Sequence, residues 1–359
     1  MKKRVGVHID LGNKASKIAY AHAKKTFSNR LGKKGQPASA PDGNFSNLLL
    51  FGEERIGIGS DGIGTKAEIA ERLTKYNTLG FDLVAMVADD LAVMGFEPAV
   101  LSNVLDVDII DIQVIDELME GLEEACTFAS MAVTGGEIAE LGNRVGGYGT
   151  GMHFNWSATA LGHLPEFLEE PVNGSRIQTG DVIIALQSRG MRSNGFSAAR
   201  GILKSHYGDT WHLEKFDDNH TWGEKLLTPS LIYAPLITEA IQNRIIPSGM
   251  VHITGGGIVE NLKRILKVTA KGAMLNNLFP PHTEMLRLME MAKLPPGQAY
   301  QQWNMGNGFL VIISSGKAED FFELARQNNY QAQIAGEITG KHSIHLQTDY
   351  INSIIEIHP

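Results

Sequence analysis

Two stretches of this chain pass from a strand-like run through a glycine turn directly into a helix-like run, and this join constrains the fold more than any other feature. The first is IGIGSDGIGTKAEIAERL from Ile56. Its strand-like part closes on Asp61, Gly62 and Gly64 bracket one apolar residue, and Thr65 and Lys66 lead into the helix. The second is VHITGGGIVENLKRIL, where His252 precedes Ile253-Thr254 and the turn Gly255-Gly256-Gly257. Ser193-Asn194-Gly195 opens another helix, and Gly135-Gly136 ends the run AVTGG. Any one of these requires nothing beyond a tight turn with positive φ. Together, each beside an acid, an amide or a histidine, they offer backbone that can approach a ligand and helix N-termini whose free N–H groups suit phosphate. The expectation is an α/β protein with ligand chemistry at its strand–helix turns.

The organisation along the chain has three parts. Residues 11–47 are polar, Lys-rich and punctuated by Gly, Pro and Ser. Their composition reads as a mobile N-terminal arm, with a cationic lid as the functional alternative. From Leu48 apolar patterning takes over. LLLF and RIGIGS pair as strands around Gly52-Glu53-Glu54. GFDLVAMVADDLAVMG reads as a helix and PAVLSNVLDV as a strand. DIIDIQVIDELMEGLEEACTFASM is a helix with Asp108 or Asp111 as N-cap. AVTGG is a strand that stops at its glycines, and GMHFNWSATALGHL alternates as a long strand. The turn-rich FLEEPVNGSRIQTGD is the expected joint. Beyond it come the strand DVIIALQS, the helix SNGFSAARGILKSHY, a helix in TPSLIYAPLITEAIQN opened by Pro229, and strands in NGFLVIIS and SIHLQTDYINSIIEI. The expected division is an arm at 1–47, an α/β domain at 48–168 that binds nucleotide and metal, and a second α/β domain at 169–359.

Composition excludes several function classes. With 43% hydrophobic and 20% charged residues the chain is ordinary for a globular protein, and 359 residues suffice for two full cores. The net charge of −8, with no basic block beyond Lys24-Lys25 and Lys33-Lys34, argues against nucleic acid or an anionic membrane as partner. The single Cys126 allows no intrachain disulfide and fits a cytoplasmic protein. The start MKKRVGVHID has no apolar core of a secretory signal. Leu79–Phe96, the most apolar stretch, carries Asp82, Asp89 and Asp90 and reads as a buried helix instead of a membrane span.

Asp90 is the sharpest single residue. On a helix it falls in line with Leu83, Met86, Val87 and Met94, and a carboxylate on an apolar stripe is costly unless it is paired or binds metal. A capping or core hydrogen bond would explain it equally well. Asp61 before Gly62 and Glu137 after Gly135-Gly136 occupy element ends, where turn chemistry is the plain explanation. Together Asp61, Asp90 and Glu137 supply the oxygen ligands that a hard cation needs, with Asp106 and Asp108 in reserve. The Asp61 turn differs in order from a P-loop, G-x-x-x-x-G-K-[ST]: here the acid leads, so the loop itself can hold metal while Lys66 stands near phosphate. His252 beside three glycines is as much a structural as a functional candidate. Hydrolase-elbow, zinc-protease, C-x-x-C and dinucleotide signatures are missing, and Cys126 reads as a small core residue.

These residues resemble a known family, aminoimidazole ribonucleotide synthetase, or phosphoribosylformylglycinamidine cyclo-ligase. SDGIGTK, NTLGFDLVAMVADDLAVMGFEP, TGGEIAEL, GDVIIALQSRGMRSNGFSAAR, LLTPSLIY, HITGGGIVENLKRIL and WNMGNGFLVII match in order and spacing over about residues 56–312. The resemblance implies an N-terminal domain that contributes strands to a dimeric β-barrel and a C-terminal α/β domain beside it. ATP and Mg²⁺ are implied as ligands, with K⁺ a further candidate cation. The implied reaction phosphorylates the formamide oxygen of formylglycinamidine ribonucleotide, so that a nitrogen can close the imidazole ring as phosphate leaves. By motif, Asp61, Asp90 and Glu137 would serve nucleotide and metal. Gly62, Gly64, Thr65 and Lys66, with Gly135 and Gly136, would face the nucleotide. Asp90, Asn194 and His252 would act in catalysis, and Arg192, Ser193, Gly255 and Gly256 would meet the substrate.

Several positions depart from that family's pattern. Tyr76-Asn77 stand for His-Asp, Arg192 for the His before Ser-Asn-Gly, Asp89-Asp90-Leu91 for Asn-Asp-Leu, and Ile138 for Thr. They touch the nucleotide and substrate sides. A small-molecule kinase or dehydratase on the same fold, or a non-catalytic nucleotide-binding relative, are the alternatives. Phosphate release from ATP, with and without formylglycinamidine ribonucleotide, separates them.

Overall fold

A computed structural model describes residues 9–38 and 45–357. The chain runs α1 (Ile9–Thr26), β1 (Gln36–Pro37), β2 (Asn47–Phe51), β3 (Glu54–Gly62), α2 (Ala67–Leu73), α3 (Leu79–Ala92), β4 (Glu97–Val107), α4 (Ile112–Phe128), β5 (Ala132–Glu140) and β6 (Phe154–His163). It continues with β7 (Val182–Gln187), α5 (Phe196–Tyr207), α6 (Trp222–Leu226), α7 (Ala234–Gln242), β8 (Gly249–His252), α8 (Gly257–Leu266), β9 (Gly272–Leu275) and α9 (Thr283–Ala292). Last come α10 (Pro296–Gln302), β10 (Asn307–Ile313), α11 (Ala318–Gln327), β11 (Ala332–Thr339), β12 (Ser343–Gln347) and β13 (Asn352–Glu356). The strands form two sheets, ordered β1-β2-β3-β6-β4-β5 and β13-β12-β9-β11-β7-β10-β8. Only β4/β5 in the first and β9/β12 in the second are parallel.

The first sheet alternates as the sequence demands. Leu101, Asn103, Leu105 and Val107 of β4 and Phe154, Trp156, Ala158 and Ala160 of β6 point inward and are buried. Helix α3 covers this face. Gly57 and Gly59 make that possible. A Cβ on Gly57 would sit 2.6 Å from the Phe96 ring, and one on Gly59 would lie 3.9 Å from Asp90 Cβ. The glycines of GIGSDG therefore let α3 lie close against β3, which sets Asp90 beside the end of that strand. On its other side α3 meets α4 through Gly80 and Gly121: a Cβ on Gly80 would fall 2.1 Å from the Gly121 backbone. It also packs against α7 of the second half. With neighbours all round, α3 is apolar on nearly every face.

Four local expectations are corrected and one open choice, the cap of α4, is resolved. The polar N-terminal segment carries α1, exposed along most of its length, where composition suggested no regular element. β5 does not stop at Gly135-Gly136 but runs through them to Glu140, because both glycines pair in register with Ser102 and Asn103 of β4. Asp111, not Asp108, caps α4, accepting from the N–H groups of Gln113 and Val114. Pro229 opens no helix; α7 starts at Ala234 with Pro235 in its first turn, where the missing N–H costs nothing. The closing strand is a hairpin, β12 paired with β13.

Candidate active site

The site lies at the seam between the two sheets and is built from four chain segments. Asp61 ends β3, and its Oδ1 accepts from Gly62 N–H at 2.7 Å. Asp90 comes from α3. The 192–195 turn precedes α5, and His252 ends β8 before the glycine turn into α8. Gly64, at φ +57°, lies against the Ser193 carbonyl, and Thr65 Oγ1 is 3.2 Å from Ser197 Oγ, so the first glycine turn docks on the start of α5. Asn194 sits beside Gly255, and its Nδ2 contacts Met86 of α3 at 4.0 Å. The structure thus brings together Asp61, Gly62, Gly64, Thr65, Asp90, Ser193, Asn194, His252 and Gly255. Gly256, at φ +95°, caps the N-terminus of α8, and a Cβ on Gly257 would be 1.9 Å from the Tyr300 carbonyl, so only glycine fits there.

Beneath this surface runs a buried polar chain. His252 is fully buried, with Nδ1 2.7 Å from Asp90 Oδ1 and Nε2 2.9 Å from Arg192 Nη2. Arg192 Nη2 also reaches Asp89 Oδ2 at 2.8 Å, and its Nη1 donates to the Leu231 carbonyl at 3.1 Å. The other oxygen of Asp89 accepts from the N–H groups of Tyr233 and Ala234 at the start of α7. A guanidinium only donates, so Nε2 of His252 must accept, and the imidazole proton sits on Nδ1 facing Asp90. Burial together with the Arg192 charge pushes the His252 pKa down to about 3, so the ring is neutral. Burial pushes Asp90 up to about 7. Asp61 is raised as well, first by burial and then by the charge of Asp90.

A second ion pair lies one helical repeat away. Lys66 Nζ donates to Asp82 Oδ1 at 2.7 Å and to the Thr228 carbonyl at 2.6 Å, and Asp82 Oδ1 also accepts from the Ser230 hydroxyl and N–H. Both side chains are fully buried.

Five expected placements are corrected by these positions. Lys66 does not stand free beside the turn for phosphate, since its amine is spent on Asp82 and Thr228. Arg192, only 1% exposed, lies beneath the site with its guanidinium on Asp89, His252 and the Leu231 carbonyl. His252 likewise sits behind Asp90 and offers no atom to the open surface. Glu137 does not join Asp61 and Asp90. Asp61, Ala158, Asn103 and Gly136 form one row across β3, β6, β4 and β5, so β5 lies three strand spacings, about 14 Å, from Asp61. Glu137, one residue on, points to the opposite face. Gly135 and Gly136 share that distant strand and form no nucleotide loop. Among the described residues no group of three or more metal-ligating side chains gathers.

Sequence reasoning missed Asp82 and Asp89 as partners, although their spacing of seven puts them on one helical face. It also passed over Phe45 and Arg264. Phe45 faces the His252 ring at 6.3 Å, and the exposed Arg264 lies 5.3 Å over the Phe45 ring, its charge acting on Asp90. Neither belongs to a glycine turn, so no local pattern marked them.

Fold and site define a two-domain α/β protein whose ligand-facing turns meet between two sheets. Solved structures of this shape include a thiamine-monophosphate kinase from Stenotrophomonas maltophilia, with TM-score 0.62 at 16% identity, covering 91% of this chain and 96% of that one. The hydrogenase maturation protein HypE in its complex with HypF gives 0.61 at 16% identity, over 87% and 93%. At such identities the likeness is one of fold. Sequence is more specific. The chain belongs to the AIR synthase related protein family: the N-terminal domain of that family matches residues 47–163 and the C-terminal domain residues 178–349. Among curated relatives, the phosphoribosylformylglycinamidine cyclo-ligase of Carboxydothermus hydrogenoformans is 34% identical over 94% of this chain and 95% of its own length. That of Pyrococcus furiosus is 33% identical over 89% and 90%.

Proposed function

We propose that this protein is an ATP-dependent cyclo-ligase of purine biosynthesis, converting formylglycinamidine ribonucleotide to aminoimidazole ribonucleotide. The reading rests on identity of 31–34% over nearly the full length of relatives carrying that name. One geometric observation supports it: two raised carboxyls, Asp61 and Asp90, converge on the seam where the Gly62–Thr65 turn and the N-terminus of α8 meet. An amide oxygen is a poor leaving group. ATP transfers its terminal phosphoryl group to the formamide oxygen, a nitrogen attacks the activated carbon, and phosphate departs with the former amide oxygen. The protein's task is then to position reactants and neutralise charge.

The residues present fit a divalent cation. The Asp90 charge raises Asp61, a repulsion that Mg²⁺ would relieve, and both offer hard oxygen ligands. When bound, Mg²⁺ would neutralise phosphate charge. The Gly62–Thr65 backbone faces the phosphates, while Asn194, Ser193, Gly255 and Gly256 line the substrate side. The halves divide as an arm at 1–47, a nucleotide-binding domain at 48–168 and a second domain at 169–359.

The working form we infer is a cytoplasmic homodimer. β5 is an edge strand on which eight of nine residues are exposed. Val133 and Ile138 on it, with Val104 on the adjacent β4 and Leu161 on β6 beyond, leave apolar surface uncovered. A second copy adding strands here would cover both edge and face. Among the described residues no helix is long and apolar enough to cross a membrane.

The test is phosphate release from ATP with formylglycinamidine ribonucleotide present and absent, together with product analysis. Phosphate and aminoimidazole ribonucleotide appearing together support the reading. Phosphate transfer to another small molecule, with the ring left open, would replace it with a kinase.

A further inference from the structure

We propose that Arg192 is a positioning residue that acts through His252, with Asp89, Arg192, His252 and Asp90 forming one buried relay that fixes which oxygen Asp90 presents to the site. The inference deepens the cyclo-ligase reading and depends on it only for its kinetic part.

The argument starts from Arg192. It is a non-glycine residue at φ +61°, in the left-handed region, and its guanidinium is buried 4.8 Å over the Tyr233 ring. A side chain held in so constrained a place is held for its donors. One nitrogen, Nη2, serves both Asp89 Oδ2 and His252 Nε2. Asp89 supplies the counter-charge that a buried guanidinium needs, and is itself pinned by two backbone N–H groups at the start of α7. The fork therefore cannot turn away from His252.

The consequence falls on Asp90. With Nε2 occupied as acceptor, the only proton of the neutral ring is on Nδ1, and it is committed to Asp90 Oδ1 at 2.7 Å. Oδ2 of Asp90 has no hydrogen-bond partner among the described residues and is the atom left for a ligand. Without the Arg192 donor, Nε2 has no partner and the ring is held only at its Nδ1 edge. Nδ1–H stays on Asp90, since an acceptor there would face another acceptor, but the ring can swing and Asp90 loses its fixed anchor. Asp89 and Arg192 are both departures from the family pattern noted above. The structure shows that they are partners, one charge answering the other, so neither change stands alone.

The test uses full-length protein with ¹⁵N-labelled histidine and no nucleotide, the His252 signals being assigned by their loss in His252→Gln. The expected wild-type spectrum shows His252 protonated at Nδ1 and bare at Nε2. In Asp89→Asn/Arg192→Met, which removes both buried charges together, the bare Nε2 resonance should shift as its donor is lost while Nδ1 stays protonated, kcat should drop at least 10-fold, and KM should stay within 3-fold. Asp89→Asn alone retains the donor and should keep the wild-type Nε2 resonance. A wild-type His252 protonated at Nε2 overturns the relay, and needs neither substrate nor variant. So does a folded double variant with wild-type kcat, or one whose KM rises 10-fold while kcat holds, which would put Arg192 on the substrate. Absence of cyclo-ligase activity in wild type would sink the functional reading and leave the tautomer result standing.

Discussion

Asp90 on α3 and His252 at the end of β8 meet at 2.7 Å, one side chain from each sheet's half of the molecule. This contact joins the halves at the point where Asp61 also arrives. It gives Asp90 a fixed orientation without neutralising it, because the imidazole stays uncharged.

Asp90→Asn should lower turnover by at least about 100-fold, the scale for losing one preorganised charged group at a reacting centre. Its effect on stability should depend on pH. Burial pushes the Asp90 carboxyl up to about 7 in the folded protein, against about 3.9 in the unfolded chain. Between those values the folded state holds more protons, so this group lowers stability as pH rises, and its full cost is present above about pH 7. In protein free of metal and nucleotide, the melting temperature of Asp90→Asn relative to wild type should therefore rise from pH 5 to pH 8. Mg²⁺·ATP should stabilise wild type more than the variant. A variant equally active, or one whose relative melting temperature is flat with pH, refutes the assignment.

Lys66 tests whether the first glycine turn is stabilised from below. Lys66→Met leaves Asp82 buried with its charge unanswered, and breaking a buried pair this way costs about 3–5 kcal/mol. Lys66→Met/Asp82→Leu removes both charges and should recover most of that loss in a denaturant titration. If Lys66→Met instead unfolds like wild type but binds ATP poorly, the amine serves phosphate after all.

Much of this was legible in the sequence. Alternation marked β6 as a half-buried strand, and glycine punctuation marked three of the four segments that meet at the site. Asp90 stood out as an acid on an apolar stripe. What could not be read was pairing across long sequence distances. Lys66 and Arg192 look like surface cations because their partners, Asp82 and Asp89, lie on another element. Glu137 looked like a ligand because Gly135-Gly136 resembles a turn. Only the register with β4 shows that the strand runs on and sends Glu137 to the other face. Segment α1 was missed for a simpler reason: its Lys-rich composition suits an exposed helix as well as a mobile arm.

The α3–α4 contact should tolerate no side chain at Gly121. A Cβ there would lie 1.9 Å from the Asn77 carbonyl oxygen, a backbone atom that cannot step aside. Gly121→Ala should cost at least about 1–3 kcal/mol, the usual range for overpacking, and part of that should appear as weaker nucleotide binding because α3 carries Asp90. Unfolding curves superimposable on wild type would show that α4 can shift freely.

Helix α1 presents Lys14, Lys17 and Lys25 on an exposed surface. If it belongs to a lid over a polyanion, trypsin cleavage between Lys14 and Lys34 should slow at least several-fold with Mg²⁺·ATP, since closure would order the segment. Identical cleavage rates with and without nucleotide would leave α1 outside the site.

The edge strand β5 gives the last prediction. Val133 and Ile138 are 45% and 43% exposed, and they stand on the strand with no hydrogen-bonded neighbour on its outer side. Soluble proteins rarely leave a long apolar edge open, because its free N–H and C=O groups template pairing with any other strand. A second copy resolves this if it docks along β5. Ile138→Asp would then place a charge in the interface, where burial without a partner is costly. Light scattering should report a dimer for wild type and a shift towards monomer for the variant, with the far-ultraviolet spectrum unchanged because Ile138 lies on an edge strand outside the buried core cluster. Loss of turnover in that monomer would show further that the site depends on the pairing. A wild-type monomer at micromolar concentration would remove the dimer, and the uncovered β5 face would then call for a different partner.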